Sequence, residues 1–206
     1  MIGIIDYGAG NLGNVLRALE KLQYEARLLG TLSGLDSEVD FLVLPGVGAF
    51  PPAMAELSRR GWIQVLRDWG QAKNPLLGIC LGMQLLYEAS LEDGLTEGLG
   101  FFPGTVAPLE GLRKSPHMGW NRVSWLRELP GITDLFPGGL DAYFVHGYAA
   151  PVNDASLSET VIDGCRFSSV SLLNRVAGFQ FHPERSAGEG LRLLGAFIRL
   201  LSGESS

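Results

Sequence analysis

The chain is poor in the features that mark several common protein classes. Two cysteines, Cys80 and Cys165, in 206 residues are too few for a disulfide framework, so a reducing cytoplasm is expected. Charge is sparse and slightly acidic, with 16 basic against 22 acidic residues. That leaves no basic footprint for nucleic acid or an anionic membrane surface. Apolar runs are short and broken by Gly, Pro or charge, which excludes a membrane span. The opening "MIGIIDYG" has neither the basic region nor the long apolar region of a signal peptide. Three histidines, His117, His146 and His182, limit any proton-transfer chemistry to few candidates. No repeat, low-complexity tract or linker divides the chain, so residues 1–206 read as one domain.

What remains is an ordinary globular composition, 46% hydrophobic, arranged in alternation. "IGIID" (2–6), "YEARLL" (24–29), "DFLVLP" (40–45) and "PLLGI" (75–79) read as strands. Leu12, Val15, Leu16, Leu19 and Leu22 form one stripe of an amphipathic helix. "WIQVLRDW" (62–69) and a segment from about Gly82 to Ala89 read as further helices. The second half is richer in strands ("NRVSWL", "DAYFVHGYAA", "SETVIDG", "FSSVSLL", "VAGFQF") and ends in a helix at roughly 189–202. This order predicts a flavodoxin-like, doubly wound α/β domain, its sheet mostly parallel with antiparallel additions in the second half.

Within "NPLLGICLGMQLLYEAS" (74–90) a strand ends in Gly78-Ile79-Cys80-Leu81-Gly82 and passes at once into a helical pattern. This is the cysteine form of a nucleophile elbow. The turn lifts the sulfur above the carboxyl end of the sheet, where α/β folds place ligands. The glycines keep the turn uncrowded, and the following helix aims its first N–H groups at the site, favouring thiolate. The plain alternative is a buried cysteine at a helix start. A nucleophile needs a base, and His182 in "GFQFHPERS" stands just past an apolar strand with Glu184 two residues on, spaced to orient it. Alone, His182 reads equally as a solvated loop histidine. "LVLPGVGAF" ends another strand in Pro45-Gly46-Val47-Gly48, a turn able to present N–H groups to an oxyanion or simply to lead into a helix.

Gly8-Ala9-Gly10-Asn11-Leu12-Gly13 matches G-x-G-x-x-G after a strand. By spacing it suggests a dinucleotide site with Asp36 or Glu38 on the ribose, a rival that leaves Cys80, His182 and Glu184 without a role.

Taken together, "PGVGAF", "GICLGMQLLYE", "SPHMGWN", "YFVHGYA" and "GFQFHPERS" resemble the class I (triad-type) glutamine amidotransferases over nearly the whole chain. "PGVG" and "PHMGWN" are similar to the branch that supplies ammonia for imidazole glycerol phosphate formation in histidine biosynthesis. The resemblance implies Cys80 as nucleophile, His182 as acid–base and Glu184 as its orienter. It implies an oxyanion hole from Val47, Gly48 and Leu81. Gln84 would hold glutamine, Glu92 would pair with its α-ammonium, and the backbone of His146, Gly147 and Tyr148 would bind its carboxylate and amino groups. Gly147 replaces the small hydroxyl residue usual there, and Arg185 replaces a frequent Lys, which alters bonding geometry while keeping charge. The partner implied is a (β/α)₈-barrel cyclase in a heterodimer, with Asn11, Asn14, Trp120, Tyr143 and Arg185 on the shared face. No cofactor or metal is implied. Other readings are a glutaminase for another synthase, a stand-alone γ-glutamyl hydrolase or a redox-sensing thiol protein. His117 is expected in a loop packed by Met118 and Trp120, and Cys165 as a packing or inert thiol.

Overall fold

A computed structural model describes residues 1–112 and 115–204. In chain order its elements are β1 (Ile2–Ile5), α1 (Leu12–Lys21), β2 (Ala26–Leu29), β3 (Phe41–Gly46), α2 (Phe50–Arg59), α3 (Trp62–Gln71), β4 (Leu76–Cys80) and α4 (Leu81–Leu85). There follow β5 (Tyr87–Ser90), β6 (Thr96–Glu97), β7 (Phe102–Pro108), β8 (His117–Trp125), β9 (Leu140–His146), β10 (Tyr148–Ala149), β11 (Ser156–Ile162), β12 (Cys165–Leu173), β13 (Val176–Phe179) and α5 (Ala187–Ser202).

The described residues form a nine-stranded sheet in the order β2-β1-β3-β4-β13-β12-β11-β8-β9. Its first five strands are mutually parallel and follow the flavodoxin-like order expected from the sequence. From β12 onward the pairing is antiparallel. Strands β1, β3, β4 and β13 are buried along their whole length, as unbroken apolar runs covered on both faces must be. One face packs on Val15, Ala18 and Leu19 of α1 and Leu193, Leu194 and Phe197 of α5. The other packs on Phe50, Leu57, Trp62, Leu66 and Met83 of α2, α3 and α4. Among the described residues no helix is long and apolar enough to cross a membrane.

Three expectations need correction. The helix awaited from Gly82 to Ala89 stops at Leu85, and Tyr87–Ser90 is instead a strand pairing with β6 and β7. The Tyr87 hydroxyl bonds Ser171 at 2.6 Å, so tertiary contacts override helical periodicity there. These strands, with β10, build a four-stranded second sheet, β10-β7-β5-β6. "DAYFVHGYAA" is not one strand: it breaks at Gly147, leaving β9 in the large sheet and β10 in the small one. Beyond the Val47–Gly48 turn residues 50–59 are helical, with Pro51 and Pro52 in the first turn, where a missing N–H costs nothing. Finally, His117 begins strand β8 and packs on the rings of Phe144 and His146, while Met118 and Trp120 are exposed.

Candidate active site

Strand β4 ends at Cys80, whose backbone stands at φ +55°, ψ −112°, a sparsely populated conformation that packing has to enforce. The enforcement is visible in the glycines. A Cβ on Gly78 would lie 2.6 Å from the Gly82 carbonyl oxygen, and one on Gly82 would collide with the Leu44 carbonyl. The elbow can therefore close only with glycine at both places. Gly46 and Cys80 are register partners across β3 and β4, so the Pro45–Gly48 turn and the thiol rise from adjacent strand ends. With only five residues, α4 sums few peptide dipoles. The stronger electrostatic neighbour of the thiol is His182.

His182 lies beyond β13, the strand beside β4. Its N–H donates to the Tyr143 carbonyl at 2.9 Å, and Ser186 Oγ donates to its carbonyl at 2.7 Å. The Tyr143 N–H in turn donates to Ser186 Oγ at 2.9 Å, so Ser186 stitches the histidine loop to β9. His182 Nδ1 donates to Glu184 Oε1 at 2.9 Å, with the two side chains only 6% and 1% exposed. That bond fixes the tautomer and turns Nε2 away from the carboxylate. Burial alone would lower the His182 pKa. The neighbouring Cys80 and the hydrogen bond to Glu184 outweigh it, pushing the imidazole up from 6.5 to about 10, while the Cys80 thiol itself donates to the Val145 carbonyl at 3.7 Å. The arrangement favours the charged imidazolium form of His182.

The turn differs in detail from expectation. Gly48 has φ +107° with open space about it, but Gly46 belongs to β3 and lies outside the left-handed region. Gly46 is glycine because a Cβ there would strike the Tyr7 hydroxyl and crowd Leu81. Backbone freedom in this turn resides at Gly48. Tyr7 is wholly buried, and its hydroxyl has no hydrogen-bond partner among the described residues; burial, then the nearby Cys80 charge, raises its pKa. Leu81, the first residue of α4, carries an N–H with no intrahelical acceptor available by position.

A single concave site gathers Cys80, His182, Val47, Gly48 and Leu81 with Gln84, Glu92, His146, Gly147 and Tyr148. Asn11 and Arg185 line it as well. Glu184 sits behind His182, and Asn14, Trp120 and Tyr143 lie outside the lining. Gln84 Nε2 donates to the Tyr148 carbonyl at 2.8 Å and to Gln180 Oε1 at 3.1 Å. His146 Nδ1 donates to the same Tyr148 carbonyl at 2.8 Å, and burial drops this imidazole to about pKa 4. The Gly147 carbonyl accepts from the Leu109 N–H at 2.9 Å. Both carbonyls of residues 147–148 are thus tied into the protein. Because a trans peptide points its N–H opposite its C=O, the Tyr148 N–H is directed away from β7. Gly147 has Ser115 beside it: a Cβ there would stand 3.4 Å from the Ser115 hydroxyl.

On the rim, the Arg185 guanidinium lies 4.5 Å over the Tyr143 ring, which meets Trp120 edge-on at 6.1 Å. Trp120 is 53% exposed, and Asn14 accepts a bond from Arg17. His117 Nε2 bonds the Asn121 carboxamide at 2.6 Å, and partial burial lowers its pKa. Cys165 is a free, partly buried thiol outside the site, its S–H on the Glu110 carbonyl. Asp36 and Glu38, the ribose candidates of the rival reading, both pair with Arg27, at 2.5 and 3.6 Å. Gln180, Ser186 and Tyr7 escaped the sequence reading; Gln180 and Ser186 flank the H-P-E motif, and their proximity to it was the available signal.

A thiol elbow on a doubly wound sheet, with a buried His–Glu pair on the adjacent strand, defines a class. The chain matches the glutamine amidotransferase class-I family over residues 3–199 and belongs to it. Among its relatives are proteins named imidazole glycerol phosphate synthase subunit HisH. The one from Exiguobacterium sibiricum is 44% identical over 94% of this chain and 92% of its own length. Those from Desulfitobacterium hafniense and Xanthomonas campestris pv. campestris are both 45% identical, over 96% and 97% of this chain and 93% and 97% of their own. A crystal structure of a glutamine amidotransferase superposes with a TM-score of 0.76 at 17% identity, covering 98% of both chains, a likeness of fold.

Proposed function

We propose that this chain is the glutaminase subunit of an imidazole glycerol phosphate synthase, with Cys80, His182 and Glu184 as its catalytic residues. The observation that carries the assignment is that Cys80 and His182 stand at the ends of adjacent strands and face one pocket, with Glu184 bonded to His182 from behind. Cys80 Sγ attacks the side-chain amide carbon of glutamine while its proton resides on His182. The oxyanion is held by the Leu81 N–H and an N–H of the Val47–Gly48 turn. His182 protonates the departing nitrogen, ammonia leaves, and a γ-glutamyl thioester remains. His182 then takes a proton from water, whose oxygen displaces the thiolate to give glutamate.

Bound glutamine sets its α-ammonium on Glu92 and its α-carboxylate on the N–H groups near Gly147 and Tyr148. The partner is a (β/α)₈-barrel cyclase subunit, which uses the ammonia to convert its ribonucleotide substrate to imidazole glycerol phosphate and AICAR. The names of the relatives support a synthase subunit. The exposed rim of Trp120, Tyr143 and Arg185, with Asn11 and Asn14, supplies a face for the partner. No cofactor enters any proposed step, and the net charge of -6 speaks against a nucleic-acid partner. Mixing the chain with a candidate cyclase and its substrate should raise glutamate release far above that of either alone. Equal release without the cyclase would count against the subunit role.

A further inference from the structure

Gln180 stands two residues before His182 and is wholly buried, its backbone N–H bonded to the Ser169 carbonyl at 3.0 Å. A buried carboxamide beside an active site has to be justified, because its donors and acceptor have left water. Its oxygen has a partner in Gln84 Nε2 at 3.1 Å, whereas its own Nε2 has none among the described residues. Which way the two carboxamides face is forced, not arbitrary. The Tyr148 carbonyl can only accept, so the Gln84 atom 2.8 Å from it is the nitrogen. The second hydrogen of that nitrogen then requires an acceptor, so Gln180 must present its oxygen. A reversed Gln180 would set donor against donor.

The consequence falls on the pocket. Gln84 lines it, yet both of its hydrogens are held by Tyr148 and Gln180. The only polar capacity left to Gln84 is its carbonyl oxygen, a pure acceptor. An acceptor in the pocket attracts a ligand N–H and repels a carboxylate or ester oxygen at the same point.

Resting on the glutaminase reading above, we propose that Gln180 is a positioning residue for substrate selection. It locks the Gln84 carboxamide with its oxygen free, so that the site takes a γ-carboxamide and disfavours a γ-carboxylate or γ-ester. The same polarity assists turnover. The amide N–H groups that Gln84 accepts leave as ammonia, and the glutamate that replaces them meets a like-polarity oxygen.

The test compares kcat/KM for L-glutamine and L-glutamate γ-methyl ester in the chain mixed with its cyclase. The ratio of the two in one preparation is independent of the folded fraction, so a poorly folding variant still gives a reading. Gln180→Met, which removes the acceptor at similar volume, should lower the glutamine-to-ester ratio roughly three- to tenfold, the worth of one neutral hydrogen bond. Gln180→Glu keeps an acceptor toward Gln84 and should hold the ratio near the wild-type value. An unchanged ratio in Gln180→Met, or an equal fall of the ratio in both variants, would overturn the proposal. Wild-type protein that cleaves neither substrate would overturn the glutaminase reading beneath it, a distinct result.

Discussion

The carboxylate of Glu92 accepts the backbone N–H of Phe50 at 2.7 Å. Phe50 opens α2 directly beyond the Val47–Gly48 turn, while Glu92 also lines the pocket. One side chain thus holds the far end of the Val47–Gly48 turn, proposed to bind the oxyanion, and faces the place proposed for the substrate's α-ammonium. Glu92→Gln keeps an acceptor for Phe50 but loses the charge. It should raise the KM for glutamine about tenfold or more with a smaller change in kcat. Glu92→Ala also releases Phe50 and should lower kcat in addition. Steady-state kinetics of the two variants separates the roles; equal kcat in both would dismiss the link to the turn.

Cys80→Ala should abolish glutamine hydrolysis, and Cys165→Ala should leave most of it, because only Cys80 shares a pocket with His182. A glutamine-like electrophile should label Cys80 alone. Peptide mass spectrometry showing comparable labelling of Cys165 would count against the assignment.

The His182 pKa of about 10 depends on Cys80 and Glu184. In Cys80→Ala burial would act with less opposition, so the imidazole should titrate well below its wild-type value by NMR. The same linkage reaches stability. A folded pKa raised from 6.5 to about 10 stabilises the native state fully below about pH 6.5, and that contribution decays as pH rises and is gone above about 10. His182→Gln should therefore flatten the decline of Tm between those limits. A wild-type slope retained in the variant would assign the decline to other groups.

The Val47–Gly48 turn should respond to substitution at Gly48 and at Gly46 for different reasons. Gly48→Val removes the residue that holds positive φ and should blunt activation by the cyclase while leaving Cys80 open to alkylation. Added ammonium salt should still support the cyclase reaction, since it bypasses amide cleavage. Gly46→Ala drives a methyl group into the Tyr7 hydroxyl and should destabilise the fold by about 1–3 kcal/mol. Tyr7→Phe deletes a buried hydroxyl that has no partner among the described residues and should be neutral or stabilising. It should also recover part of the Gly46→Ala loss in the double variant. Strict additivity in denaturant melts would mean the two do not touch.

Much of this molecule was legible because its physics is local. The parallel strands β1, β3, β4 and β13 show as continuous apolar runs, and α1 and α5 as single stripes. The elbow and the His–Glu pair follow from spacing along short segments. What stayed hidden depends on distant partners. Strand β7, "FPGTVAP", has a proline near each end and a glycine between, and only pairing with β5 and β10 makes it a strand. The Leu86–Ser90 stretch keeps a helical pattern that its contacts with Phe102 and Ser171 overrule. The part played by Gln180 exists only once Gln84, from the other half of the chain, lies against it.

Strand β13 enters the large sheet between β4 and β12, late in the sequence but central in space. During synthesis Cys80 emerges with β4, and His182 follows only after β13. Until β13 inserts, the cysteine has neither the imidazole nor the carboxylate behind it. A nascent or truncated chain would therefore carry an unactivated thiol. The meeting of Cys80 with His182 is coupled by topology to the insertion of β13.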